Sequence, residues 1–251
     1  MSGHSKWATI KRKKGATDAV RGKIFTKLTR ELVTAARVGG GDPGGNARLR
    51  KAIEAAKAQQ MPGDNIKRAI QRGSGELDGV SFEDVLYEGT GPGGTLFLVE
   101  GTTDNRNRSA AELRKVFEKH NGLMGGSGTA GWAFDRFGLI TLEKSAVSED
   151  QLMEAAVSAG ADDYRDEGDV WTVYTPPNDV EQVTAALEAA SLKVQSSKVA
   201  FVAKNKKPVS GREAEVCLNL VDALDDHDDV QHVYSDFDIS DEELQRLAGA
   251  S

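Results

Sequence analysis

Charge along this chain is divided so sharply that it limits how the chain can be partitioned into folded bodies. Of 32 Lys and Arg residues, 17 lie in residues 1–75, with only 5 of the 39 Asp and Glu. That block carries about +12 and residues 76–251 carry −19, a split hidden by the overall −7. A chain of 251 residues can bury a substantial core and hold two or three domains. The split fits a layout in which one end grips a polyanion while the rest stays acidic and repels it.

The basic block has internal order. Residues 17–38 are expected to form an amphipathic helix, because Val20, Ile24, Leu28 and Leu32 recur every fourth position with Phe25 and Ala36 beside them. These apolar residues span an arc of about 160° at helical spacing, and Lys23, Lys27, Arg30 and Arg37 span about 80° on the opposite side. Arg21 adds to the charge, and Gly39, Gly40 and Gly41 stop the helix. Asn46 is placed to cap a second helix with Leu49, Ala52, Ile53 and Ala56 inward and Arg48, Arg50, Lys51 and Lys57 outward. Pro62 sits just inside a third helix start, with Ile66, Ala69 and Ile70 as its stripe, Lys67 and Arg68 between them, and Gly73 as its stop. Three short helices with tight loops make a small bundle.

Ahead of the bundle lies an unpatterned arm, Lys6–Gly15, with Lys6, Lys11, Arg12, Lys13 and Lys14 around Trp7. Such an arm can order along phosphates and release counterions. Trp7 is equally suited to stacking on a base and to anchoring the arm. Nucleic acid is the default polyanion for this surface. No recognition-helix signature, RNP aromatic pair or zinc spacing is present, so the residues support backbone binding and not sequence readout.

Residues 138–204 read as strand, helix, strand, strand, helix, strand, a ferredoxin-like βαββαβ unit complete in itself. Leu139–Leu142 opens it, Ser148 and Gln151 form a capping-box pair, and Asp163–Asp166 with Val170–Thr175 form a hairpin. Asn178 is expected to cap the second helix, and Val199 and Phe201 alternate in the last strand. The flanks supply strands at Val85–Glu88, Leu96–Gly101 and Trp132–Asp135, helices near 108–119 and after Ser210-x-x-Glu213, and a strand around Val230–Tyr234. Together the flanks make a second α/β sheet interrupted by the 138–204 unit. The expected fold class is therefore multidomain α+β. Residues 1–78 form the basic helical domain, 79–136 plus 205–251 a discontinuous α/β middle domain with an acidic end, and 137–204 the inserted ferredoxin-like domain.

Chemistry-bearing motifs are sparse. Gly89–Gly94 and Gly126–Gly131 both match G-x-G-x-x-G, but neither lies between a strand and a helix as a dinucleotide site requires. The first reads as a hairpin turn; the second has backbone N–H groups that could hold an anion. No cofactor is expected. Asp225, Asp226, Asp228 and Asp229 flank His227, which reads as a solvated acidic turn or, as a lower-ranked alternative, the metal site of a nucleic-acid enzyme. The four histidines lack ligand spacing, so no resident metal and no catalytic residue are assigned. Arg106 and Arg108, in the run Asp104–Arg108, either accompany an Asn105 or Asn107 helix cap or extend the nucleic-acid surface.

Residues 213–251 hold twelve acids against Arg246 alone. They can keep the protein soluble, fold over the basic domain as a mimic of nucleic acid, or dock a basic protein partner. Cys217 is the lone cysteine, between Val216 and Leu218, and reads as a buried helix position. No run of 18 apolar residues is present, and the basic N-terminus has no apolar segment of a secretory signal behind it, so the expected location is cytoplasmic with no membrane contact.

The strings GHSKWATIKRKKGATDAVRGKIFTKLTREL, GGDPGGNARLRKAIEAAK and MPGDNIKRAIQRGSGE resemble the YebC family of bacterial and mitochondrial gene-expression regulators. YEGTGPGG, TDNRNRSAAELRKVF and the segment ending GWAFDRFG continue the resemblance, which covers most of the first 140 residues. Ala47 stands where family members often carry Pro, and Thr90 where they often carry an aromatic residue. The resemblance implies three domains with a discontinuous middle one. It also implies a non-enzymatic regulator, either a DNA-binding transcriptional regulator or a ribosome-associated translation factor that relieves stalling on proline-rich sequences. The mitochondrial translational activator of cytochrome oxidase is a relative within that resemblance.

Overall fold

A computed structural model describes residues 18–249. Three helices open it, α1 (Asp18–Gly39), α2 (Ala47–Ala58) and α3 (Gly63–Gly73). The glycine stop works through Gly40, whose φ of +87° turns the chain off α1. Asn46 caps α2 by accepting from the Leu49 N–H at 3.0 Å. Its amide also donates to the carbonyls of Ala35 and Gly40, both at 2.8 Å, so one buried side chain joins the end of α1 to the start of α2. Pro62 lies one position outside α3 as its cap residue, rather than within its first turn. Helices α1 and α3 cross so closely that a Cβ on Gly73 would lie 2.3 Å from the Val33 carbonyl oxygen. The core of this bundle is Leu32, Val33, Ala36, Leu49, Ala52, Ala56, Met61, Ile66 and Ala69.

The middle body follows in the same compact unit, residues up to 131 together with those from 206 onward. Strands β1 (Glu83–Thr90) and β2 (Leu96–Thr103) pair antiparallel from Glu83↔Thr103 to Thr90↔Leu96. The first glycine motif is the turn between them, as expected. Asn105 caps α4 (Arg106–Lys119) by accepting from the Arg108 N–H. Strand β3 (Leu123–Gly125) then pairs with β1.

The second compact unit is residues 132–205. Its elements are β4 (Phe134–Glu143), α5 (Glu149–Ala159), β5 (Asp163–Asp166), β6 (Val170–Thr175), α6 (Val180–Ala189) and β7 (Val194–Ala203). The strand order β5-β6-β4-β7, antiparallel throughout, is that of a ferredoxin-like fold. The Ser148–Gln151 capping box forms as read. Two expectations are corrected here. Phe134 and Asp135 begin β4 and pair with Ala203 and Val202, so they do not add a strand to the middle sheet. Helix α6 is preceded by Asp179 in place of Asn178, with no side-chain cap.

The chain completes the middle body with β8 (Lys207–Pro208), α7 (Gly211–Asp225), β9 (Val230–Ser235), β10 (Phe237–Asp238) and α8 (Asp241–Gly249). The sheet runs β3-β1-β2-β9. Phe97, Val99 and Val233 pack on Leu113 and Phe117 of α4 and on Cys217, Leu218 and Val221 of α7. Ser210 precedes α7 but makes no side-chain cap; the Gly211 N–H donates instead to Glu243 of α8 at 2.7 Å. Arg246, and then that N–H, hold the Glu243 carboxyl down to about 2. Among the described residues no helix is long and apolar enough to cross a membrane.

Candidate nucleic-acid interface

The basic face of α1 is taken up in part by groups of the same chain, with Lys27 and Arg30 half-buried and Lys23 and Arg37 exposed. Lys23 pairs with Asp226 at 3.1 Å, and the Lys27 ammonium donates to the Asp225 carbonyl at 2.6 Å. Arg30 donates to the Asp229 carboxylate and to the Thr102 carbonyl, with its guanidinium over the Phe82 ring. Arg37 donates to the Ser81 hydroxyl. Burial lowers the pKa of Lys27 despite the aspartates around it, and lowers that of Arg30 likewise. These cations spend their charge on the middle body of the same chain.

Asp229 is the centre of that contact. Its side chain is only 3% exposed, yet it accepts from Arg30, from Arg108 at 3.0 Å, from the Ser109 hydroxyl and from the Thr103 hydroxyl at 3.2 Å. His227 Nδ1 accepts the Asp229 N–H at 3.1 Å, which leaves Nε2 to donate to Glu112 at 3.0 Å. Glu112, His227 and Asp229 bring potential ligand atoms within 4.8 Å of one another. The chemistry opposes a cation there, because two guanidinium groups already neutralise the one buried carboxylate and both ring nitrogens are engaged.

Arg48, read as a nucleic-acid contact, forms a double fork. It meets Glu31 at 2.7 and 2.8 Å and Asp84 at 2.7 and 2.9 Å. Those hydrogen bonds raise its pKa further and hold the Asp84 carboxyl below the usual range. Arg106 pairs with Glu83 at 2.8 Å, and Arg108 with Asp104 at 2.7 Å as well as with Asp229. The Asp104–Arg108 run is thus a helix cap plus an ion-pair network.

A different cationic surface remains on α2 and α3. Arg50 is exposed and donates to the carbonyls of Pro43 and Gly44, and Lys51 is half-buried. Lys67 and Arg68 are exposed; Arg68 donates to the Asp64 carbonyl and to the Asn65 side chain, both at 3.3 Å. Lys57 shares a shallow groove with Lys67, and Arg72 lies one turn beyond Arg68. Among the described residues no ion pair engages Lys57, Lys67, Arg68 or Arg72. Lys57 and Arg72, which the sequence reading does not place at the nucleic-acid surface, lie in the last turns of α2 and α3, where a basic residue also complements the helix dipole. Arg21 is exposed with its guanidinium over Phe25. The arm residues Lys6, Trp7, Lys11, Arg12, Lys13 and Lys14 lie outside the described residues.

The second glycine motif holds an anion, and that anion is the protein's own Glu88. Its buried carboxylate accepts from the N–H groups of Gly128 at 3.1 Å, Ala130 at 2.6 Å and Gly131 at 2.7 Å. Burial opposes ionisation, and the backbone donors outweigh it, holding the Glu88 carboxyl below its ordinary range. Cys217 is buried beside the Thr95 hydroxyl, and burial pushes its thiol up to about 11, far from a reactive thiolate.

Five of the twelve acids of residues 213–251 are engaged within the fold by the following contacts. Asp226 and Asp229 face α1, Asp236 accepts the Leu96 N–H at 2.7 Å, Asp238 meets Lys206 at 3.6 Å, and Glu243 pairs with Arg246.

The family model described as the TACO1/YebC protein N-terminal domain matches residues 5–76, and that described as the TACO1/YebC second and third domain matches residues 82–237. A probable transcriptional regulatory protein of Desulforapulum autotrophicum is 52% identical over 242 residues, covering 96% of this chain and 98% of that protein. One of Acidithiobacillus ferrooxidans is 52% identical over the full length of both chains. The crystal structure of a conserved hypothetical protein of Aquifex aeolicus superposes with a TM-score of 0.81 at 42% identity, covering 89% of this chain and 93% of that one. With both family models matched in order and relatives this similar end to end, the chain belongs to the TACO1/YebC family.

Proposed function

We propose that the protein is a non-enzymatic regulator of gene expression that binds duplex DNA through its N-terminal basic domain. The observation that carries this reading is the block of 17 cations in residues 1–75, of which Lys57, Lys67, Arg68 and Arg72 stay exposed on α2 and α3 and, among the described residues, enter no ion pair. The names of the relatives, probable transcriptional regulatory proteins, agree with it. Exposed Lys and Arg on short helices bind phosphates and carry no base code, so binding is expected to be weakly sequence-dependent. The described residues thus support docking on a phosphate backbone, with the arm as a further contact. That same property suits structured RNA, where recognition is by shape, and supports a ribosome-associated role as the second reading.

Fluorescence anisotropy with labelled duplex DNA and duplex RNA tests both. Each phosphate contact contributes about −0.9 to the slope of log affinity against log salt on B-DNA. A steep negative slope between about 50 and 200 mM salt is expected for at least one duplex; binding indifferent to salt would overturn the reading. Preference for RNA at one fixed salt would select the second reading.

A further inference from the structure

The helical bundle and the middle body have separate apolar cores, one built on Leu32 and Leu49, the other on Phe97 and Phe117. What the α1 face contributes to their contact is polar. Lys23 meets Asp226, Lys27 meets the Asp225 carbonyl, Arg30 meets Asp229, and Gln231 donates to the Lys27 carbonyl at 3.2 Å. Phe82, at the head of β1, also packs on the bundle core. Contacts this polar between bodies with their own cores resemble transient interfaces, for which relative motion is the default.

Parting breaks the fork from Arg48 to Asp84, whose carboxylate regains water, and leaves the other principal carboxylates satisfied. Asp229 keeps Arg108, Ser109 and Thr103 on its own body, and Glu31 keeps Arg48 on the bundle. The freed partners, Lys23, Lys27 and Arg30, regain water together on one helix face. In the closed form the turn 225–229 presents to that face what a phosphate backbone would present, closely spaced oxygens carrying negative charge.

We propose that the α1 face is a latent second nucleic-acid surface, held shut by the acidic turn 225–229, and that a phosphate backbone opens it by competing for Lys23, Lys27 and Arg30. This rests on the nucleic-acid reading above and adds its regulation. First contact is made by the surface already exposed on α2 and α3. A sufficiently long duplex then displaces the turn and engages α1, so affinity through α1 is reduced by the fraction of molecules that are closed.

The test uses the full chain with Lys23→Cys and Asp226→Cys, joined by a short bis-maleimide. A control has both cysteines capped by N-ethylmaleimide; native Cys217 is buried and stays out of the reaction. Binding to a 30-base-pair duplex is measured by anisotropy across salt. The cross-linked form is expected to bind about tenfold more weakly than the capped control, with a salt slope shallower by about two, since Lys27 and Arg30 are the cations left on that face. Asp226→Asn is expected to tighten binding about two- to fivefold, as loss of one exposed pair allows. Equal affinity and slope for the cross-linked and capped forms would overturn the latch and leave the nucleic-acid reading intact. Failure of wild type and both treated forms to bind either DNA or RNA would overturn that reading itself.

Discussion

The two cationic surfaces of the helical bundle contain the same residue types and meet different fates. On α1, Lys23, Lys27 and Arg30 lie against aspartates and carbonyls of the middle body. On α2 and α3, Lys57, Lys67, Arg68 and Arg72 face outward. Facial sorting of charge along a helix therefore identifies a surface that wants an anion and leaves its source open. Here one surface finds the anion in its own chain, about nine-tenths of the way along the sequence, and the other is left for a partner.

The comparison is broken most severely at Asp229. Asp229→Ala leaves the largely buried Arg30 without its carboxylate, while Arg108 keeps Asp104, and should cost about 3 kcal/mol in urea unfolding. A loss below about 1 kcal/mol would mean that the carboxylate does not organise the contact. Glu88→Ala leaves three backbone donors of the 126–131 loop unpaired and should cost about 1–3 kcal/mol. Glu88 also sets a pH signature. Its folded carboxyl titrates below the unfolded value of about 4.3, so its contribution is complete above that value and is lost as pH falls through the lower folded one. Glu88→Gln should flatten that part of the acid-denaturation curve; an unchanged curve would contradict the assignment.

The open surface should behave in the opposite way. Replacing Lys57, Lys67, Arg68 and Arg72 by Ala is expected to change stability by less than about 0.5 kcal/mol per site while weakening nucleic-acid binding. Lys23→Ala, which removes one exposed pair, is the smallest perturbation, at about 0–1 kcal/mol in stability. Urea midpoints for these variants beside Asp229→Ala separate a structural cation from a binding one.

Local chemistry made much of the fold legible. Asn46 and Asn105 as caps, the Ser148–Gln151 box, the 163–175 hairpin and the βαββαβ order are all short-range signals that act over a turn or a strand. The errors fall where a tertiary partner decides. Phe134 and Asp135 joined the ferredoxin-like sheet because Val202 and Ala203 offered a strand edge. Ser210 makes no side-chain cap, and the first N–H of α7, that of Gly211, is taken by Glu243, more than thirty residues on. The α1 face was legible as cationic; that Asp226 and Asp229 would lie opposite is a contact across some 200 residues, to which helical periodicity is blind. The 126–131 loop was legible as an anion nest, and its occupant, Glu88, was not.

The central claim is that Lys57, Lys67, Arg68 and Arg72, exposed on α2 and α3, hold the phosphate backbone. The most direct measurement is the slope of log affinity against log salt for one duplex, comparing wild type with the Lys57, Lys67, Arg68 and Arg72 quadruple Ala variant. The account predicts a slope shallower by roughly three to four on B-DNA, with weaker binding at every salt concentration. An identical slope and affinity for the two proteins would contradict it.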